Sequence, residues 1–118
     1  MKVETKFEWE DRIAGLALSK STKLVAFGLS HYANKDCTHS HPGLLRLMWY
    51  CGINDERTVA KAVKELRELG LIYRWRAGGG RPKPGRQALA DEYQLCWPKG
   101  DVAVEQVPFD LWRKRRGL

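Results

Sequence analysis

The sequence predicts an α+β domain made of a three-helix core and a β-hairpin. Three observations lead there. Apolar residues recur at a helical period through residues 20–32, 42–51 and 54–69. Directly after Gly70 the period changes, and residues 71–76 alternate as a strand does. A tip at 77–88, with four glycines and two prolines, separates that strand from a returning one at 90–97. A chain of 118 residues is then one compact domain at 20–97, with an N-terminal arm or short helix at 1–19 and a C-terminal extension with a basic tail at 98–118.

Within residues 1–19, Trp9, Ile13, Leu16 and Ala17 keep helical spacing but Gly15 interrupts it, so helix and packed arm both stay open. The first core helix covers 20–32, capped by Ser19 or Ser21, with Leu24, Ala26, Phe27, Leu29 and Ser30 on its apolar face. Residues 34–41 are polar and aperiodic, and read as a loop. Pro42 suits the first turn of the second helix, where a missing N–H costs nothing, and Ser40 or His41 lies near the cap. Leu44, Leu45, Leu47, Met48 and Cys51 form its apolar face, and Gly52 ends it because glycine tolerates positive φ.

The third helix is the most strongly patterned. Asn54 is the expected N-cap, and Asp55 and Glu56 put acid in the first turn, where the helix dipole favours it. Val59, Ala62, Val63, Leu66 and Leu69 fall on one stripe, and Arg57, Lys61, Lys64 and Glu68 fall on the opposite one. In the hairpin, alternation places Ile72, Arg74 and Arg76 on one side and Tyr73 and Trp75 on the other. Tyr93 and Leu95 share a side of the returning strand. Pro98 ends that strand, 102–107 is expected as a further short strand, and Pro108 opens a last helix with Phe109, Leu111 and Trp112.

Charge narrows the function. The net charge is +7, which favours a polyanionic partner through counterion release. Residues 71–90 hold Arg74, Arg76, Arg81, Lys83 and Arg86 with no acid, and Arg113 to Arg116 form a basic run. No apolar run approaches the roughly 18 residues of a spanning helix, and no signal peptide opens the chain. Three widely spaced cysteines argue against a disulfide scaffold and fit a reducing cytosol. Cys37, His39 and His41, with His31 and Cys51 nearby, are metal-ligand types, but without a Cys-x-x-Cys spacing no zinc is expected. The glycines at 78–80 lack the Gly-Lys-Ser/Thr of a P-loop, and no catalytic cluster or paired acid set can be named. Neither enzymatic activity nor a cofactor is expected. A chain this short also leaves no room for a separate domain sensing a small-molecule ligand.

At Gly52-Ile53-Asn54-Asp55-Glu56-Arg57-Thr58-Val59, and again at Leu66-Arg67-Glu68-Leu69-Gly70-Leu71-Ile72, the chain resembles winged helix-turn-helix domains. Those domains occur in bacterial regulators and in phage or plasmid replication-organiser proteins, and actinobacterial mobile-element proteins look nearest. The resemblance spans about residues 20–97, and Asn54 stands where the usual residue is Ser. It implies that helix 54–69 enters the major groove. Asn54, Arg57 and Thr58 would then stand at its start, Lys61 and Lys64 along its face, and Arg46 at a flanking phosphate. Arg74 and Arg76 would face a phosphate row together. Arg81, Lys83 and Arg86 sit in a tip similar to the Gly-Arg-Pro core of AT-hooks, although the Arg before Gly80 is missing; they would follow the backbone or enter the minor groove.

Trp49, Tyr50, Tyr73, Trp75, Tyr93 and Trp97 could stack on unpaired bases, but core packing is the expectation for them. Trp9 and Trp112, outside the domain, are expected as anchors of a homodimer. The implied function is a sequence-specific, double-stranded-DNA-binding transcriptional regulator, cytoplasmic and nucleoid-associated, repressing by occlusion. The alternatives are a replication or partition factor binding repeated origin sites and a winged-helix protein-interaction module.

Overall fold

The computed structural model describes residues 3–78 and 90–118. The elements follow in the order α1 (Lys6–Ala14), α2 (Lys20–His31), α3 (Gly43–Cys51), α4 (Glu56–Glu68), β1 (Ile72–Arg76), β2 (Glu92–Leu95) and α5 (Phe109–Arg115). Helices and an antiparallel hairpin in one chain make this the expected α+β class.

Helix α2 is the hub, with α1, α3 and α4 all packed against it. Ser19 caps it by accepting from the Thr22 N–H. Val25, Ala26 and Leu29 of α2 meet Leu47 of α3 and Val59, Ala62, Val63 and Leu66 of α4 in one buried cluster. The approach of α3 is close because α2 carries Gly28 there. A Cβ at that position would lie 3.0 Å from Leu47 Cδ2 and 3.1 Å from Tyr50 Cδ1. Helix α3 stops at Gly52, whose φ of +66° is left-handed and costs glycine little.

Residues 6–14 form a helix, and it belongs to the core. Trp9 and Ile13 are completely buried. The Trp9 indole N–H donates to the carbonyls of Leu71 and Cys96, both at 3.0 Å. Trp9 therefore corrects the expectation of a dimer anchor: a side chain closed on all sides by its own chain has nothing to offer a second copy.

In the sheet, Ile72 pairs with Leu95, Tyr73 with Gln94, Arg74 with Tyr93 and Arg76 with Glu92. Trp75 is the extra residue of a bulge between Arg74 and Arg76. The far edge of β2 is occupied by the segment expected as a loop. Ser40 and Tyr93 exchange backbone hydrogen bonds at 3.0 and 2.7 Å, and the Leu95 N–H donates to the Cys37 carbonyl at 2.9 Å. Cys37 and His39 reach this register through left-handed backbone, at φ of +73° and +58°. Residues 102–107 make an isolated bridge between Gln106 and Leu16 in place of the expected strand. Pro108 precedes α5 as expected, and α5 buries none of its residues.

Replacing Trp9 with alanine removes a fully enclosed ring and takes the indole donor from the Cys96 carbonyl, while the Leu71 carbonyl keeps the Cys96 N–H. We expect Trp9→Ala to lower unfolding free energy by about 3–5 kcal/mol in a denaturant titration. An unchanged midpoint would mean that α1 is peripheral.

Candidate nucleic-acid interface

The surface that the sequence singles out lies on α4 and on the hairpin beside it. Asp55 caps α4, with its carboxylate accepting from the Arg57 N–H at 2.9 Å and the Thr58 hydroxyl at 3.3 Å. This corrects the expected Asn54 cap by one residue. Both residues are good caps, but a carboxylate also gains from the helix dipole. Asn54 is left exposed, and its side chain makes no hydrogen bond among the described residues.

Thirteen residues give α4 a length of about 20 Å. Val59, Ala62, Val63 and Leu66 are buried on one side, while Arg57, Lys61 and Lys64 are exposed on the other. Glu65 is not available to neutralise them, because it turns toward α2 and accepts from the Thr22 hydroxyl at 3.0 Å. Lys64 approaches Glu68 at 3.9 Å with both side chains largely in solvent, a pair of little energetic weight. Arg57 and Lys61 have no ion-pair partner among the described residues. Like charges four residues apart on a helix repel slightly, so this stripe carries a small cost in stability. Two further exposed residues on α4 were not among the expected DNA contacts. Glu56 stands in the first turn and Arg67 in the last.

The hairpin differs from its expected form. Partners across an antiparallel pair share a face, so Arg74 lies on the face of Tyr93 and Arg76 on that of Glu92. Adjacent β2 residues face opposite ways, so the two arginines do not point together as expected. The Trp75 bulge causes this, because the extra residue reverses the alternation beyond it. The stem is also not purely basic. Arg74 pairs with Asp91 at 3.5 Å, and Glu92 is engaged by His39 Nδ1 at 3.1 Å. Asp91 further accepts from the Gly78 N–H and from the Tyr93 hydroxyl. Partial burial raises the Asp91 pKa, but the Gly78 N–H, the Arg74 cation and the Tyr93 hydroxyl outweigh that and hold it below the usual carboxylate range. Burial, and then the Asp91 charge, push the Tyr93 phenol up. Arg81, Lys83 and Arg86, with the hook-like tip, lie outside the described residues.

Core packing holds for Tyr93, which is buried, and Trp97 lies half-buried under the Arg12 guanidinium at 5.4 Å. It fails for Trp49, Tyr73 and Trp75, which are 77%, 61% and 47% exposed, and largely for Tyr50, which stands against His31. The reasons are positional. Leu47 fills the inward place on α3, Tyr73 opposes Gln94 on the solvent side of the sheet, and the bulge puts Trp75 beside His39. Arg46 lines a shallow cleft on α3 with Leu45 and Trp49. Cys37, Cys51 and Cys96 are free thiols whose pKa values burial raises, so they are not activated nucleophiles. Among the described residues no three His, Cys, Asp or Glu side chains gather to hold a metal ion. No helix among them is long and apolar enough to cross a membrane.

No family model matches this chain, and neither a curated protein nor a solved structure matches it.

Asp55→Ala should cost about 1 kcal/mol of stability in thermal or denaturant unfolding, and Asn54→Ala close to nothing; equal losses would return the cap to a shared role. Asp91 gives a pH dependence. Its folded pKa is depressed, so its stabilisation is present above the unfolded value of about 3.9 and is lost as pH falls through the folded value. Asp91→Asn should therefore flatten the acid limb of a stability–pH curve, and an unaltered limb would show that the Arg74–Asp91 pair contributes nothing.

Proposed function

We propose that this chain is a winged helix-turn-helix protein that binds double-stranded DNA sequence-specifically, as a transcriptional regulator repressing by occlusion. The carrying observation is the outer stripe of α4. Its cations are exposed and almost unpaired, on a helix whose other side is anchored in the core. In this reading α3, the Gly52 turn and α4 are the helix-turn-helix, and the β1–β2 hairpin is the wing.

The chemistry of each position supports the assignment. A major groove roughly 12 Å wide admits a helix. Arg57 matches the O6/N7 edge of guanine, the uncommitted Asn54 amide matches the N6/N7 edge of adenine, and Glu56 can accept from the N4 amine of cytosine. Thr58 is half-buried and occupied with Asp55, so it supports the helix start and does not read a base. Lys61 and Lys64 are suited to phosphate as point charges. On the wing, Arg76 can approach the backbone, while Arg74 is oriented by Asp91.

Selection of bound sites from random duplex DNA, repeated at several salt concentrations, tests this directly. A recovered motif bound with a steep salt dependence is expected. Salt-sensitive retention without a motif would reject sequence-specific reading, and no salt-sensitive retention at all would favour a protein-interaction module. On the selected site, Arg57→Ala should weaken binding by about 1–3 kcal/mol and relax one base position. Lys61→Ala should weaken selected and random duplexes alike and reduce the salt slope by about one. Equal losses on both duplexes for Arg57→Ala would reassign Arg57 to phosphate.

A further inference from the structure

Helices α1 and α3 expose complementary surfaces that the DNA reading does not use. On α3, Leu45 and Trp49 are 79% and 77% exposed, and four residues apart they stand one turn from each other on one stripe. With Arg46 they line the shallow cleft, and neither α2 nor α3 contains an acidic residue. Apolar side chains of this size gain nothing from a phosphate backbone and much from a protein neighbour. On α1, Phe7 is 54% exposed and shares its stripe with Asp11, while Glu4 lies just before the Thr5 cap. Glu4 and Asp11 are exposed and carry no ion pair among the described residues. The other charges of α1 are occupied within the chain. Lys6 donates to the Ser30 and Ala33 carbonyls, Glu8 pairs with Arg12, and Glu10 accepts from the Ser30 hydroxyl.

One surface is thus an apolar cleft with a cation, and the other is an aromatic knob flanked by free acids. We infer that they are made for each other between two copies of this chain. Phe7 of one copy enters the cleft at Leu45 and Trp49 of the second, and Asp11, with Glu4 beside it, meets Arg46. Each chain carries one knob and one cleft, and the inferred dimer is the two-fold arrangement in which both are filled and the assembly closes. Arg46, expected from the sequence at a flanking phosphate, serves this contact instead. The inference is independent of the DNA reading, because its test contains no DNA.

Sedimentation equilibrium of the full chain through the micromolar range should show a dimer. Trp49→Ser and Phe7→Ser should each weaken it about 30-fold, as expected for truncating a central aromatic anchor. Both side chains project into solvent, and circular dichroism checks that the variants remain folded. Charge reversal provides the stricter test. Arg46→Glu and Asp11→Arg should each be monomeric alone and associate when mixed, because both contacts are matched only in the mixed pair. A chain that stays monomeric throughout overturns the inference, as does a dimer indifferent to these variants or failure of the mixture to associate. A dimer abolished only by Phe109→Ser or Trp112→Ser would move the interface to α5 and overturn it as well.

Discussion

The hydrogen bonds from the Trp9 indole to the Leu71 and Cys96 carbonyls hold together the point on which the rest of the fold turns. At Leu71 the chain passes from α4 into the sheet, and at Cys96 it has just left it. The two positions also bond to each other, through the Cys96 N–H and the Leu71 carbonyl at 3.0 Å, and the Cys96 thiol donates to the Gly70 carbonyl at 3.3 Å. A buried carbonyl without a donor costs about 1–3 kcal/mol, and while the Leu71 carbonyl already accepts from the Cys96 N–H, the Cys96 carbonyl takes its donor from Trp9. The indole supplies that donor together with a large apolar body. A hairpin with strands of five and four residues is marginal by itself. Here its root is clamped by Trp9, its inner face by Ile72 and Leu95 in the core, and its far edge by Ser40. The direction in which the hairpin leaves α4 is thereby fixed.

That fixed direction matters to α4, which builds the core and, in the proposed function, reads the duplex. Its inner stripe is the floor of the core, so the helix cannot rotate without opening the domain. Its outer stripe is consequently held at one angle to the hairpin, and a rigid pair of elements can match a rigid duplex. The charge pattern agrees with this division. Glu65, one turn from Lys61, is drawn away from the stripe by Thr22, and Glu68 makes only a loose pair with Lys64. On the hairpin the reverse occurs, and Asp91 restrains Arg74, giving up some attraction for polyanions in exchange for order at the base of the tip.

Much of this was legible in the sequence because it is local. Helices α2, α3 and α4 and the hairpin follow from periodicity, and the stops at Gly52 and Gly70 follow from backbone sterics: both glycines have positive φ. What escaped is non-local or depends on a shift of one residue. Trp9 is 62 residues from Leu71 and 87 from Cys96 along the chain, and no spacing rule reports such a bond. The Ser40 rung hides in a polar, aperiodic stretch, because a single backbone exchange needs no alternation of side chains. Asn54 and Asp55 differ little as caps, and only the closed hydrogen bonds separate them. The strand-like run of 71–76 also gave no sign of its bulge, since Tyr73-Arg74-Trp75-Arg76 alternates in the sequence whether or not the ladder does.

The exposed aromatics reflect the small size of the core. Its inward positions are taken by Trp9, Leu29, Leu47, Leu66 and Leu95, among others, and little space is left for further large rings. Rings on α3 and β1 therefore face outward, where their exposure lowers the stability of the isolated chain and raises the gain from any surface that covers them. Tyr73 and Trp75 lie against a balanced set of charges, Arg76 with Glu92 and His39. Trp49 lies beside a lone cation on a helix without acids. In the proposed dimer the second is covered by Phe7 and Asp11 of another copy. Under that proposal, charge balance separates an aromatic patch left to solvent from one that a second copy covers.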